Sequence, residues 1–290
     1  MTEVKMKKIA VRSMIRAPQG KTLIAFDLSQ AESWIVAFLA NERNMKHALM
    51  YGDIHTETAG NALFHANTGC PHTWVVKVKG ELWVCSACLR DVTKLMRYVG
   101  KRYNHASAYR MGAERAAQVI NKDSDKPPYF TVTVKESKRF SEAWHNYYNL
   151  KGWWSNIEVD LKRDRTLRTP YGRKRTFFAA WGNELFKEAT AFVPQSTVAD
   201  HFNGKLHPDL RIPGGLFEIY KQLVKPYSDH KIVNQSHDSA ILEVPKTVAK
   251  DLLEPINKLM LRPIVINNEE FTIPVDLEWG ERWSEMEKAA

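Results

Sequence analysis

Leu23-Ile24-Ala25-Phe26-Asp27-Leu28-Ser29-Gln30-Ala31-Glu32 is an apolar run that breaks at an acid and leads directly into a helix-opening pattern. Its first five residues read as a buried strand ending at Asp27. Ser29-Gln30-Ala31-Glu32 then has the S-x-x-E form of a capping box, which predicts a helix through about Asn41. A second run, Ile232-Val233-Asn234-Gln235-Ser236-His237-Asp238, also ends at an acid. Carboxylates at two strand ends can converge on one pair of divalent cations. Between them Arg97, Lys101, His105 and Tyr109 recur every four residues, along one side of a helix. Acids for metal and a cationic helix for phosphate make phosphoryl transfer the leading chemistry.

Two-metal catalysis needs carboxylates that bridge cations about 3.5–4 Å apart. Magnesium takes oxygen ligands and keeps waters, so Asp27, Asp238, the Leu28 carbonyl and substrate phosphates suffice for two Mg²⁺ (or Mn²⁺). Taken singly, each Asp could equally cap a helix or a turn.

The composition is that of a globular chain, with 44% hydrophobic and 26% charged residues among 290. The apolar stretch Trp34–Ala40 is too short to span a bilayer, so no membrane association is expected. No hydrophobic signal core follows the lysine-rich start, which makes the cytoplasm the default location. A net charge of +9 favours a polyanionic partner. Arg163, Arg165, Arg168, Arg173, Lys174 and Arg175 fall within thirteen residues around a Pro170-Tyr171-Gly172 turn. That pattern reads as a basic β-hairpin able to lie along phosphates, the alternative being a solvated charged face.

Further helices are expected over 54–64, 93–107, 137–149, 183–202 and 216–226, with a hairpin turning near His237-Asp238 and a terminal strand around 273–277. In the 93–107 helix, Leu95, Met96, Val99 and Tyr103 share one face, and Arg97, Lys101 and His105 line the opposite one. Trp144, Tyr147 and Tyr148, like Trp153-Trp154, suit either helix packing or stacking on single-stranded bases.

Five ordered motifs together resemble the polymerase domain of family A, bacterial DNA polymerase I-like enzymes. Asp27-Leu28-Ser29-Gln30-Ala31-Glu32 looks like D-x-S-Q-x-E, and Asp53-Ile54-His55-Thr56-Glu57-Thr58-Ala59 like D-I-H-x-x-T-A. Arg97, Lys101, His105 and Tyr109 fall on R-x3-K-x3-F/Y-x3-Y. Val193-Pro194-Gln195-Ser196-Thr197-Val198-Ala199-Asp200 resembles P-x-Q-G-T-A-A-D, and His237-Asp238-Ser239 resembles H-D-E. The resemblance covers roughly 9–64 and 91–290.

It implies an α+β fold: a palm of antiparallel sheet backed by helices, plus helical fingers. Palm is expected over 1–34 and 161–290, with fingers over 35–160. The implied partners are primer-template DNA and deoxynucleoside triphosphates. Asp27 and Asp238 would hold the two magnesium ions; Arg97 and Lys101 would grip the triphosphate, Lys101 also donating a proton to the leaving pyrophosphate. His55 would be a further phosphate contact, Gln30 would lie near the nucleotide, and Tyr109 would stack near the nascent base pair. Glu32 would be the steric gate against a ribose 2′-hydroxyl, a role compatible with capping. Gln195 and His237 would meet the primer-template, and Lys187 and Arg173 the DNA backbone.

Three positions depart from the family. His105 stands where it has Phe or Tyr, which puts sugar discrimination in question. Ser239 replaces a Glu after the metal Asp, and Arg110 replaces a Gly after the Tyr.

Cys70-Pro71-His72 and, twelve residues on, Cys85-Ser86-Ala87-Cys88 flank a predicted hairpin over 75–84. C-x-H…C-x-x-C is the ligand spacing of a zinc ribbon, here an inserted module over 65–90 holding one structural Zn²⁺. His65 competes as the fourth ligand, and reduced surface thiols are the bland alternative. The family does not require this module.

Only twenty-six residues precede Asp27. The family's thumb and 3′–5′ exonuclease do not fit there, so a split polymerase with a separate thumb/exonuclease polypeptide is expected, or else an expressed fragment. Two rivals stand beside a DNA polymerase. One is a ribonucleotide-using relative, against which Glu32 speaks. The other is a non-catalytic, zinc-containing DNA-binding or replisome-docking protein, against which both metal aspartates speak.

Overall fold

A computed structural model describes residues 11–64, 75–77, 83–85, 91–122 and 130–289. The chain divides into two compact units. One comprises residues through Ala31, Pro170–Gly172 and the chain from Ser196 on; the other comprises Glu32–Thr169 and Arg173–Gln195.

The first unit is built on a five-stranded antiparallel sheet. In spatial order its strands are Glu287–Lys288, Val275–Gly280, Lys21–Leu28, Ser239–Pro245 and Lys231–Ser236. The opening motif therefore forms the middle strand. Thr22, Ile24, Phe26 and Leu28 alternate onto one face and are all buried, with Phe26 stacked on Phe202 at 5.8 Å between ring centroids. The opposite face changes character along the strand. At Leu23 it packs with Ala17, Ile241, Trp283 and Met286, at Ala25 it is half-buried, and at Asp27 it opens to solvent.

Three details of this unit depart from the sequence reading. The terminal strand runs Val275–Gly280, two residues later than expected. The helix after the opening motif runs Ala31–Leu39, two residues short of the expected end, and follows Gln30 at a left-handed φ of 55°. A further hairpin, Pro263–Ile266 with Glu269–Thr272, turns on Asn267 and Asn268 at φ 53° and 63°. Positive φ at both turn residues is the two-residue hairpin geometry that Asn tolerates.

The second unit is mainly helical. Glu42 caps Arg43–Tyr51, Asp53 caps Ile54–Glu57, and Thr93 caps Lys94–Ala108, each by accepting a backbone N–H. The 54–64 segment begins as α-helix and continues as a π-helical stretch, Thr58–Phe64. Val134–Tyr147 opens with a true capping box of Thr133 and Glu136. Lys151–Asp164 leads into the basic hairpin, whose strands Thr166–Arg168 and Lys174–Thr176 pair antiparallel. The long helix Asn183–Asn203 begins in this unit and, from Ser196, belongs to the first.

Its core is polar at the centre. The Asn104 side chain lies between the Trp144 indole N–H, which donates to it at 2.8 Å, and His55 Nδ1, 3.1 Å from its amide nitrogen. Tyr148 and Thr58 share a hydrogen bond of 2.9 Å beside it. Trp144 and Tyr148 are fully buried, so of the two readings of these aromatics the packing one holds. Gly100 lets two helices meet, since a Cβ there would fall 2.2 Å from the His55 carbonyl oxygen.

Candidate active site

The two acids of the opening argument are neighbours in the sheet unit. Asp27 pairs across the sheet with Ser239, the residue after Asp238, and the Leu28 N–H donates to the Asp238 carbonyl at 3.1 Å. His237 and Asp238 form the two-residue turn between strands Lys231–Ser236 and Ser239–Pro245, His237 at φ 53°. Both side chains stay partly exposed, with His237 Nδ1 3.6 Å from an Asp238 carboxyl oxygen. Asp27, His237, Asp238 and Ser239 line a cleft of about 480 Å³ on the sheet's open face.

The same cleft holds an acid that the sequence reading missed. Asp276 is the direct cross-strand partner of Asp27 on the other side, and Glu278 follows two residues on, on the same face. The available signal was the alternation Val275-Asp276-Leu277-Glu278, which places both acids on one side of a strand.

Among the described residues no group of three or more His, Cys, Asp or Glu side chains is gathered closely enough to hold a metal. A closed protein cage is therefore not what this cleft offers. Two accessible carboxylates on a rigid strand and an adjacent turn are nevertheless a donor set that magnesium fits, because it keeps waters and takes substrate oxygens for its other ligands.

In the helical unit the Lys94–Ala108 helix divides as expected. Val99 and Tyr103 are buried, Lys101 and His105 are exposed, and Arg97 is half-exposed. Arg97 is not idle: its Nε and Nη2 reach the Asp53 carboxylate at 3.0 and 2.7 Å. Asp53 also accepts from the Thr56 N–H and hydroxyl, both at 2.7 Å. Burial pushes the Asp53 pKa upward, but the Arg97 fork and the neighbouring donors outweigh it and hold the carboxyl below its ordinary range. At the end of the helix the Tyr109 hydroxyl donates to Glu32, and burial together with that carboxylate raises the phenol well above its usual pKa. The expected gate residue is thus fixed in place by the expected stacking residue.

His55 lies in the interior. It is 4% exposed, and burial lowers its pKa to about 3, helped by the cations Arg97, His105 and Lys101, though Asp53 pulls the other way. A neutral imidazole in the interior makes no charged contact to a phosphate. Its observed role is internal, beside Asn104 and 6.1 Å from the His105 ring.

Of the expected DNA contacts, Gln195 and Arg173 are exposed, and Lys187 makes a surface pair with Glu184 at 2.8 Å. Gln30 is half-buried beside the opening strand.

Cys70, His72 and Cys88, like His65, lie outside the described residues, and so does the Cys85 side chain. The Cys85 backbone is described: Val75–Lys77 pairs antiparallel with Trp83–Cys85, Val75 opposite Cys85.

No known family model matches the chain. Curated relatives do. The chain is 27% identical over 281 residues to a protein named DNA polymerase I, thermostable, of Thermus filiformis, covering 93% of this chain and 28% of that one. It is 24% identical over 271 residues to the DNA polymerase of Escherichia phage T5, covering 88% of this chain and 29% of the phage protein. Against DNA polymerase I of Aquifex aeolicus it is 26% identical over 279 residues, 94% of this chain and 41% of the relative. The chain thus spans between a quarter and about two-fifths of the length of these relatives. Among solved structures, it is similar to the POL domain of Pol1 from M. smegmatis in complex with DNA primer-template and dNTP. That match has a TM-score of 0.67 at 18% identity and covers 94% of this chain and 42% of the other. The motifs, the relatives and the antiparallel-sheet-plus-helices fold agree in what they point to: the chain is similar to part of DNA polymerase I-like proteins and shares the fold of a polymerase POL domain.

Proposed function

We propose that the chain is a template-directed DNA polymerase module that adds deoxynucleotides to a primer 3′ end. One observation carries the reading: Asp27 and Asp238 occupy adjacent backbone positions on the open face of the sheet, lining one cleft. Asp27 and Asp238, with the Leu28 carbonyl beside them, hold the divalent cations. When bound, those cations supply charge stabilisation for the attacking and leaving oxygens. Lys101 is an exposed cation on its helix and serves the triphosphate and the leaving pyrophosphate. Arg97 shares its guanidinium with Asp53 and assists in the same role. Glu32, held by Tyr109, closes the space a 2′-hydroxyl needs, with His105 at the sugar. Gln195, His237, Arg173 and Lys187 meet the primer-template. The pairing of Val75 with Cys85 supports a zinc ribbon in which Cys70, His72, Cys85 and Cys88 hold one Zn²⁺, a point that zinc analysis of the purified chain decides.

The test is single-nucleotide incorporation by the full chain, in molar excess over primer-template, with Mg²⁺. Incorporation is expected from the wild type and lost in Asp238→Asn while the circular dichroism spectrum is retained. Glu32→Ala is expected to admit ribonucleotides. Absence of incorporation by the wild type, or full activity in Asp238→Asn, overturns the reading.

A further inference from the structure

Beyond the basic hairpin lies a feature of the helical unit that the proposed function does not use. Phe177 and Phe178 are consecutive, yet Phe177 is buried and Phe178 is 89% exposed, the largest exposure of any bulky apolar side chain described. An exposed aromatic on a loose loop would carry no argument, but this loop is tied down on both sides of the residue. The Arg165 guanidinium donates through Nε to the Phe177 carbonyl at 2.7 Å and through Nη2 to the Ala179 carbonyl. The Phe177 N–H donates back to the Arg165 carbonyl at 2.9 Å. Arg165 also lies over the Trp181 ring, 5.7 Å from its centroid. The backbone of Phe178 is therefore clamped between two anchored carbonyls, and its ring is held out into water.

Exposing a Phe forgoes the gain of burying it. A clamped backbone means that little further ordering would be lost on binding. The surroundings specify the kind of partner. Arg168 and Lys174 are exposed and sit opposite each other on the adjoining hairpin, so cations line the chain segment that leads to Phe178. A segment lined by cations with a protruding π-face matches a single-stranded nucleic acid, whose phosphates follow the cations while one unpaired base stacks on the ring. An apolar protein surface would satisfy Phe178 but would leave the neighbouring cations without counter-charges.

We infer that Phe178 is a base-stacking platform for an unpaired nucleotide of the nucleic-acid partner. This rests on the polymerase-like reading for the identity of the strand, but not for the stacking itself. The experiment measures binding of an oligonucleotide bearing a single-stranded 2-aminopurine tract, by anisotropy and by fluorescence quenching, without nucleotide or metal. Phe178→Ala is expected to weaken binding by about five- to a hundredfold and to abolish quenching. Phe178→Trp should restore both. Phe178→Leu should restore neither, because it keeps the apolar surface but lacks the π-face. Arg168→Ala and Lys174→Ala should instead flatten the salt dependence, each by a slope of about 0.7 in log K against log salt, and leave the quenching of bound probe intact.

Equal binding and quenching by wild type and Phe178→Ala, or full rescue by Leu, would overturn the inference; the Leu result would point to a protein surface as the occupant. Failure of the polymerase reading looks different: stacking persists in these assays while incorporation is absent. Incorporation with unchanged binding in Phe178→Ala sinks only the stacking platform.

Discussion

The sheet unit and the helical unit hold their acidic side chains on opposite terms. In the sheet unit Asp27 stands exposed in the middle strand, directly across from Asp276 and next to the turn that carries Asp238. Like charges placed opposite each other across a sheet disfavour the pairing, and both acids line an open cleft. In the helical unit the acids are turned inward. Asp53 is bound by the Arg97 fork and caps a helix, and Glu42 is 8% exposed with its carboxyl pushed upward by burial. Glu57 is 3% exposed, and burial raises its pKa to about 8. Accessible acids of the first kind can take up a cation, whereas acids of the second kind are either paired within the fold or kept from ionising by burial. Substitution in the first unit should therefore cost chemistry, and in the second stability.

The sharpest test is Asp27→Asn. With two-metal chemistry at this cleft, incorporation should fall by at least about a thousandfold, the size of losing several kcal/mol of charge stabilisation. The circular dichroism spectrum should be retained, because Asn has the shape of Asp and the position is exposed. A clear drop in stability would break the contrast, because it would mean that Asp27 is a structural acid after all. The helical unit should show the reverse at Gly100. Replacing a helical Gly with Ala ordinarily stabilises, by up to about 1 kcal/mol. Here the new Cβ meets the His55 carbonyl oxygen at 2.2 Å and the Ala59 nitrogen at 3.1 Å, both backbone atoms. Overpacking against backbone wins, and Gly100→Ala should lose about 3 kcal/mol in urea unfolding.

Glu57 gives a pH signature. Its folded pKa of about 8 lies above the ordinary value of 4.5, so between those limits the folded state binds the extra proton. Folding stability therefore declines as pH rises from about 4.5 to 8 and is flat beyond. Glu57→Gln removes the titration. It should be near neutral at pH 4.5 and stabilising by about 4 kcal/mol at pH 8, read as the difference between two unfolding series. A constant difference across that range would show that the carboxyl is ionised throughout.

These contrasts were legible in the sequence to unequal degrees. The strand ending at Asp27, the hairpin at His237-Asp238 and the cationic helix were visible because each is written in local periodicity and turn chemistry. The buried face of that helix was visible for the same reason. Asp276 was not, because only strand register puts it beside Asp27, and register is a long-range property. The depth of His55 was not legible, because motif position says nothing of burial. The Asn267-Asn268 hairpin carried a local signal, two residues that tolerate positive φ between Pro263-Ile264-Val265-Ile266 and Phe271-Thr272-Ile273, and it was overlooked.

Arg110 supplies the smallest and most delicate test, because it separates burial from mere membership of the helical unit. It has φ 60°, a left-handed conformation that costs a side-chain-bearing residue about 1–2 kcal/mol relative to Gly. Against that, its guanidinium pairs with Glu158 at 2.7 Å and lies over the rings of Trp154 and Phe186, 5.5 and 5.2 Å from their centroids. The ion pair is about a third exposed on each side, which limits it to below about 1 kcal/mol, and each ring contact contributes about 0.5–1. Arg110→Gly gains the strain relief but loses those contacts and enlarges the unfolded ensemble by about 0.5–1 kcal/mol. The sum favours Arg, so Arg110→Gly should destabilise by about 0.5–1 kcal/mol, with Arg110→Lys in between because it keeps charge without the planar stack. In the Glu158→Gln background the penalty of Arg110→Gly should shrink by less than half, since the rings carry more of it than the carboxylate. If it vanished there, the pair would behave like the bidentate Asp53–Arg97 fork, and depth would no longer explain why the two units treat their acids differently.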